Sequence, residues 1–199
     1  MAKRLASREE VRPRFHPCRA SIGSDRVPSP SARMYRAAMP IRDEAEADHA
    51  TIGRLHRLAF GRDAEARLVD ALRRSGAVAV SLVAEAEGAV AGHVLLSRLV
   101  SPPGALGLAP LAVLPDRQRR GVGSALVRAA LARAREGGWV AAFVLGDPAY
   151  YGRFGFSAEA ARGYASPYAG EHFMAAPLRP RPLPGGGAVV YPAPFADFG

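Results

Sequence analysis

Val113-Leu114-Pro115-Asp116-Arg117-Gln118-Arg119-Arg120-Gly121-Val122-Gly123-Ser124 joins an apolar segment to an amphipathic one through a basic loop. Residues 106–114, bounded by a Pro/Gly loop at 101–105 and by Pro115, have the length of a buried central strand. From Gly121 to Glu136 the apolar residues Val122, Ala125, Leu126, Ala129 and Ala130 recur at helical spacing, and Gly137-Gly138 ends the pattern. The loop therefore opens a helix at two glycines. The first N–H groups of a helix lack partners and the macrodipole adds partial positive charge, so such an end takes anions, phosphates above all. Gly121 and Gly123 let the backbone approach a pyrophosphate with no Cβ in the way. Ser124 adds a hydroxyl, and Arg117, Arg119 and Arg120 add long-range attraction.

Three readings compete for this loop. It is not a Walker loop, because no Gly-Lys-Ser/Thr occurs in the chain. A dinucleotide loop needs a third glycine where Leu126 stands, and its first glycine close behind the strand. The third reading is a plain helix start with solvated arginines, and spacing alone leaves it open.

Gln118-Arg119-Arg120-Gly121-Val122-Gly123 resembles the Gln/Arg-x-x-Gly-x-Gly/Ala signature of the GCN5-related N-acetyltransferases (GNAT superfamily). Downstream, Tyr151-Gly152-Arg153-Phe154-Gly155-Phe156 is similar to the Tyr-x-x-x-Gly-Phe element that closes the same fold. The run from Leu145 to Tyr151 looks like the YhbS-type branch of that family. The resemblance covers residues 39–199 and rests on two signatures in the right order.

The resemblance implies an α/β GNAT fold, a mixed central sheet splayed at the cofactor-binding strand and flanked by helices. It implies acetyl-CoA as cosubstrate and an amine, small-molecule or peptide, as acceptor. Backbone groups of Leu111, Ala112 and Val113 would hold the pantetheine arm, with one N–H there, that of Ala112 or else of Val113, as the oxyanion contact. Gln118, Arg119, Arg120, Gly121, Val122, Gly123 and Ser124 would hold the pyrophosphate. Tyr151 takes the family's position for the acid that protonates the leaving thiolate, with Tyr150 beside it. Many relatives carry a basic glutamate on the central strand, but residues 108–114 contain no acid. His93 on the preceding strand is the candidate base, Asp147 a second one, and a chain of waters a third. The same scaffold without efficient catalysis would be an acyl-CoA-binding sensor. Dimers are common in the family, so a homodimer is an open expectation.

Working outward, residues 39–42 read as a first strand. Asp48 is placed as the N-cap of a helix through Phe60, and Asp63 as the cap of a second helix that Gly76 stops. Residues 78–86 and 89–99 read as a hairpin turning at Glu87-Gly88. Residues 139–145 read as a strand, 148–154 as a short helix, and 171–178 and 188–191 as final strands. The segment 163–173, rich in aromatic and polar residues, is expected to shape the acceptor side.

The chain has 199 residues and a formal charge of +9. Residues 1–38 hold nine basic residues against three acidic ones, two thirds of that charge. This basic stretch is expected to be a disordered extension, with Met34 or Met39 as the natural start. Lys3 is the only lysine, so the charge reads as arginine usage rather than a nucleic-acid surface, and no nucleic-acid module is recognised. Cys18 is the only cysteine, which excludes an intramolecular disulfide and leaves residues 39–199 without a thiol nucleophile. No metal ligand set is evident. With no apolar run near the ~20 residues of a membrane span and no apolar leader block, the expected location is cytoplasmic.

Overall fold

The computed structural model describes residues 39–180 and 186–196. The basic stretch 1–38 lies outside the described residues. A six-stranded mixed sheet has the order β1 (Ile41–Asp43), β2 (Val78–Ala86), β3 (Ala89–Arg98), β4 (Ala105–Val113), β5 (Ala141–Leu145), β7 (Phe173–Pro177). Within this sheet, among the described residues, only β4 and β5 pair in parallel; the other neighbours are antiparallel. A two-stranded sheet joins β6 (Tyr164–Ala165) to β8 (Gly187–Ala188).

Alternation along the strands sends side chains to two covered faces. Leu82 and Ala84 of β2, Val94 and Leu96 of β3, and Leu106, Leu108 and Leu111 of β4 pack under α3 (Val122–Glu136). Helix α3 buries Val122, Leu126, Val127, Ala130, Leu131 and Ala134 there. Val127, Leu131 and Ala134 widen the stripe expected from sequence, whose Ala125 and Ala129 sit at its half-buried margin. On the opposite face, Val83 and Leu95 pack against Ile52 of α1 (His49–Phe60) and Leu68, Val69 and Leu72 of α2 (Ala64–Arg74).

The β2–β3 hairpin turns through Glu87 at φ 55° and Gly88 at φ 76°, the left-handed pair that a two-residue turn matched to strand twist requires. Gly61, at φ 70°, ends α1. Neither expected aspartate cap holds by its side chain. Asp48 stands before α1, but its carboxylate accepts the Ala45 N–H at 2.8 Å and the Arg42 guanidinium at 2.6 and 3.0 Å. It fastens the preceding turn to β1. Asp63 stands before α2 with its carboxylate 3.4 Å from Arg57, and no helix N–H reaches it. The sequence reading also missed β6 and the short helix α5 (Ala158–Ala161), because each is only a few residues long.

The feature that positions the site is the parting of β4 from β5. They pair only from Ala105↔Ala141 to Gly107↔Phe143. Across β3, the register passes from Leu96↔Leu108 to Val94↔Leu111, so β4 carries an extra residue at Ala109-Pro110. Such a bulge bends its strand, and Pro110 has no N–H to give to a ladder. The second half of β4 therefore runs free of β5. This is the splay that the family resemblance implied.

Candidate functional site

Three elements meet at the open end of the splay: the C-terminal half of β4, the start of α3, and α4 (Pro148–Tyr151) after β5. A 3-10 turn over Pro115–Arg117 leads from β4 into residues 118–121. Gly121 takes φ 88° at the N-cap of α3, where a Cβ would be strained, and no side chain caps the helix. The helix therefore begins with its first N–H groups unclaimed by a cap and set at the end of β4.

Close packing fixes that helix start. A Cβ on Gly92 of β3 would lie 2.9 Å from both Val122 and Leu126. A Cβ on Gly123 would lie 2.8 Å from the Tyr150 hydroxyl, with Val113 and Leu111 next nearest. Leu111, Val113, Gly123 and Tyr150 are thus brought together. Gln118 turns back and donates to the Val113 carbonyl at 3.1 Å, tying the loop to its strand. Arg117 is engaged elsewhere: it pairs with both oxygens of Glu87 at 3.0 and 2.8 Å, holding the loop to the β2–β3 turn. That pairing raises Arg117 above its ordinary value. Its expected attraction for an anion is neutralised by Glu87. Arg119 and Arg120 are exposed and make no ion pair among the described residues.

Tyr151 is 3% exposed, edge-on to Tyr150 at 4.9 Å and to Phe156 at 5.7 Å. Its ring fills the space that a Cβ on Gly146 would need. Tyr150, half-buried, carries Arg153 over its ring at 4.7 Å. Asp147 is the N-cap of α4, accepting the Ala149 N–H at 2.8 Å, which gives it a structural task beside its candidacy as a base.

His93 is directly opposite Ala112 in the β3–β4 register and is 0% exposed. Its Nδ1 is 2.9 Å from Nε2 of His56, and its Nε2 is 2.9 Å from Ser81 Oγ and 3.4 Å from Glu44 Oε2. Burial outweighs the pull of Glu44 and lowers His93 below its ordinary value. The strand histidine is therefore enclosed, with both nitrogens engaged. Sequence reasoning gave neither His56 nor Glu44 a role. A histidine at a buried helical position was the available signal.

On the α1/α2 face, an open cavity beside the splay is lined by Leu108, Ala109, Leu145, Tyr168, Tyr191 and Phe195. Tyr168 comes from the segment expected to shape the acceptor side; Tyr191 and Phe195 come from the far end of the chain and were not foreseen. Among the described residues no metal-binding cluster occurs, and no helix is long and apolar enough to cross a membrane.

Residues 43–156 match the model of the acetyltransferase (GNAT) family. The chain is 39% identical over 131 residues to the N-acetyltransferase YjhQ of Escherichia coli (strain K12), spanning 62% of this chain and 72% of that protein. It is 42% identical over 123 residues to the N-acetyltransferase YhbS of the same strain, spanning 59% and 73%. The crystal structure of Escherichia coli YhbS in complex with CoA superposes with a TM-score of 0.75 at 36% identity, over 81% of this chain and 93% of that one. A GNAT acetyltransferase from Brucella melitensis in complex with acetyl-CoA superposes at 0.67 with 36% identity, over 79% and 97%. The open helix start beside a splayed strand thus belongs to an acyltransferase, and the chain is a member of the GNAT acetyltransferase family.

Proposed function

We propose that the protein transfers the acetyl group of acetyl-CoA to an amine by direct attack within a ternary complex. One observation carries this reading: the uncapped start of α3 lies at the end of the strand that has parted from β5. A phosphate at the helix start and a thioester in the gap fit one extended donor. Two relatives of this fold were crystallised with CoA or acetyl-CoA.

Gln118 to Ser124 would receive the pyrophosphate, chiefly through backbone N–H groups, with Arg119 and Arg120 outside. Gln118 would keep the loop in shape through Val113. Leu111, Ala112 and Val113 would hold the pantetheine arm along the free half of β4. The Ala112 N–H is the proposed oxyanion contact, and Tyr151 the proposed acid for the departing thiolate. Residues 39–199 contain no cysteine, so an acyl-cysteine route has no nucleophile there and direct attack is the simpler path. The amine would enter through the cavity between Leu108, Leu145 and the Tyr168, Tyr191, Phe195 wall.

The two tyrosines make the sharpest test. With hydroxylamine as acceptor, release of CoA thiol should fall about 100-fold or more in Tyr151→Phe and only a few-fold in Tyr150→Phe. The Tyr150 hydroxyl is nearer Gly123. The opposite ranking would move the acid to Tyr150.

A further inference from the structure

The basic loop and α3 carry more positive charge than the pyrophosphate reading uses. From Arg117 to Arg135 there are six arginines and no acid, Glu136 being the first. Two of the six are matched elsewhere, Arg117 by Glu87 at 2.8 Å and Arg133 by Asp43 at 3.2 Å. Arg119 and Arg120 precede the helix start, and Arg135 lies at the far end of α3. Arg128 remains, exposed midway along the helix, with no ion pair among the described residues.

Arg128 does not trail into solvent. Its guanidinium lies 5.4 Å from the centroid of the Phe154 ring. Arg153, from the turn that follows α4, lies 5.5 Å from the same centroid and 4.7 Å from that of Tyr150. It too is exposed and makes no ion pair among the described residues. Its Nε donates to the Tyr150 carbonyl at 3.1 Å, which orients the guanidinium and turns its terminal nitrogens to other acceptors. Two like charges held against one ring repel each other, and an anion between them would relieve that repulsion. Their place is beside the helix start. Phe154 packs in the core cluster of α3, and the Tyr150 hydroxyl is the nearest atom to a Cβ built on Gly123. Arg128 follows Ser124 by four residues, on the same helix face and about 6 Å along the axis.

We propose that Arg128 and Arg153 together hold the 3′-phosphate of CoA, a second phosphate subsite one helical turn beyond the loop. This rests on the reading of that loop as the pyrophosphate site. CoA carries three phosphates, and residues 118–124 account for the two of the pyrophosphate. The third stands one ribose away, a span comparable to the turn between Ser124 and Arg128. A planar guanidinium presents paired N–H donors to phosphate oxygens, and two of them match the charge of a dianion. The rings beneath the arginines restrict their side chains in advance, so less freedom is lost on binding. Both residues fix the nucleotide end of the donor and take no part in the chemistry at the thioester.

Calorimetric titration of the full chain with CoA and with 3′-dephospho-CoA isolates this one phosphate. The wild type should bind CoA about tenfold or more tightly than the dephospho form. In the Arg128→Gln, Arg153→Gln double variant that ratio should fall to within about twofold, with each single variant between. The side chains are exposed, so these variants should fold as the wild type does, with circular dichroism as the check. In Arg119→Gln, Arg120→Gln, affinity for both ligands should fall together and the ratio should persist. Equal affinity of the wild type for the two ligands would overturn the proposal. So would a ratio that the Arg128, Arg153 variant retains, or one that the Arg119, Arg120 variant abolishes. A folded wild type that binds neither ligand would instead remove the donor reading beneath it.

Discussion

Glycines of the same chain serve opposite purposes, and their substitutions should separate cleanly. Gly121 adopts φ 88°, where a side chain is strained although no atom stands within 4 Å of its Cβ position. Gly121→Ala should cost about 1–2 kcal/mol of stability by denaturant titration. Gly53, inside α1, meets only the Arg57 guanidinium at 3.6 and 3.9 Å. Gly53→Ala should therefore stabilise by about 0.5–1 kcal/mol, since the helix gains a better former. The buried histidines set the acid limb of stability. His56 is pushed down to about 2, first by burial and then by the charges of His93 and Arg73. A depressed histidine contributes stability that is full above its unfolded value near 6.5. It is lost as pH falls from there toward 2, because the unfolded chain binds the proton first, at up to about 1.4 kcal/mol per pH unit. Loss should begin below pH 6.5, before the carboxylates titrate, and His56→Gln should flatten that part of the curve in chemical denaturation between pH 4 and 7.

At the scale of elements, the site depends on how α3 is seated. Its first turn rests on Gly92, where an added Cβ would meet Val122 and Leu126 at 2.9 Å and the Ala112 carbonyl at 3.3 Å. Gly92→Ala should cost about 1–3 kcal/mol by overpacking. It should also weaken acetyl-CoA binding, because the loop proposed to take the pyrophosphate moves with the helix; calorimetry on the folded variant reads this directly. A variant that loses stability but binds as tightly as wild type would show that the loop is seated independently of α3. The sequence made α3 legible because fifteen residues of regular period precede a double glycine. The hairpin was legible for a similar reason: Glu87-Gly88 separates two apolar runs. The bulge at Ala109-Pro110 was not, since an extra residue in one strand shows only against its partner's register. Asp48 and Asp63 mislead because an aspartate before a helix has rival partners, here Arg42 and Arg57, that no local pattern reveals.

For the whole molecule, the loop that opens α3 could be read from adjacent residues. The α1 side could not. Glu44, His56, Ser81 and His93 come from four segments that meet only when the sheet and helices assemble. Likewise the cavity wall draws Tyr168, Tyr191 and Phe195 from beyond the family signatures. All of these residues lie after the basic stretch 1–38. Its removal should leave thermal stability and acetyl-CoA affinity unchanged within about twofold, a difference of about 0.4 kcal/mol at most. A larger loss would assign those residues a part in the fold or the site.

The most direct test is calorimetric titration of the protein with acetyl-CoA, beside a Gly121→Glu, Gly123→Glu double variant checked for folding by circular dichroism. Carboxylates at the start of α3 oppose an anion by charge as well as bulk, so affinity should fall about 100-fold or more while the wild type binds in the micromolar range. A folded double variant that binds acetyl-CoA as well as the wild type, or a folded wild type that does not bind it, would contradict the assignment of the loop as the donor site.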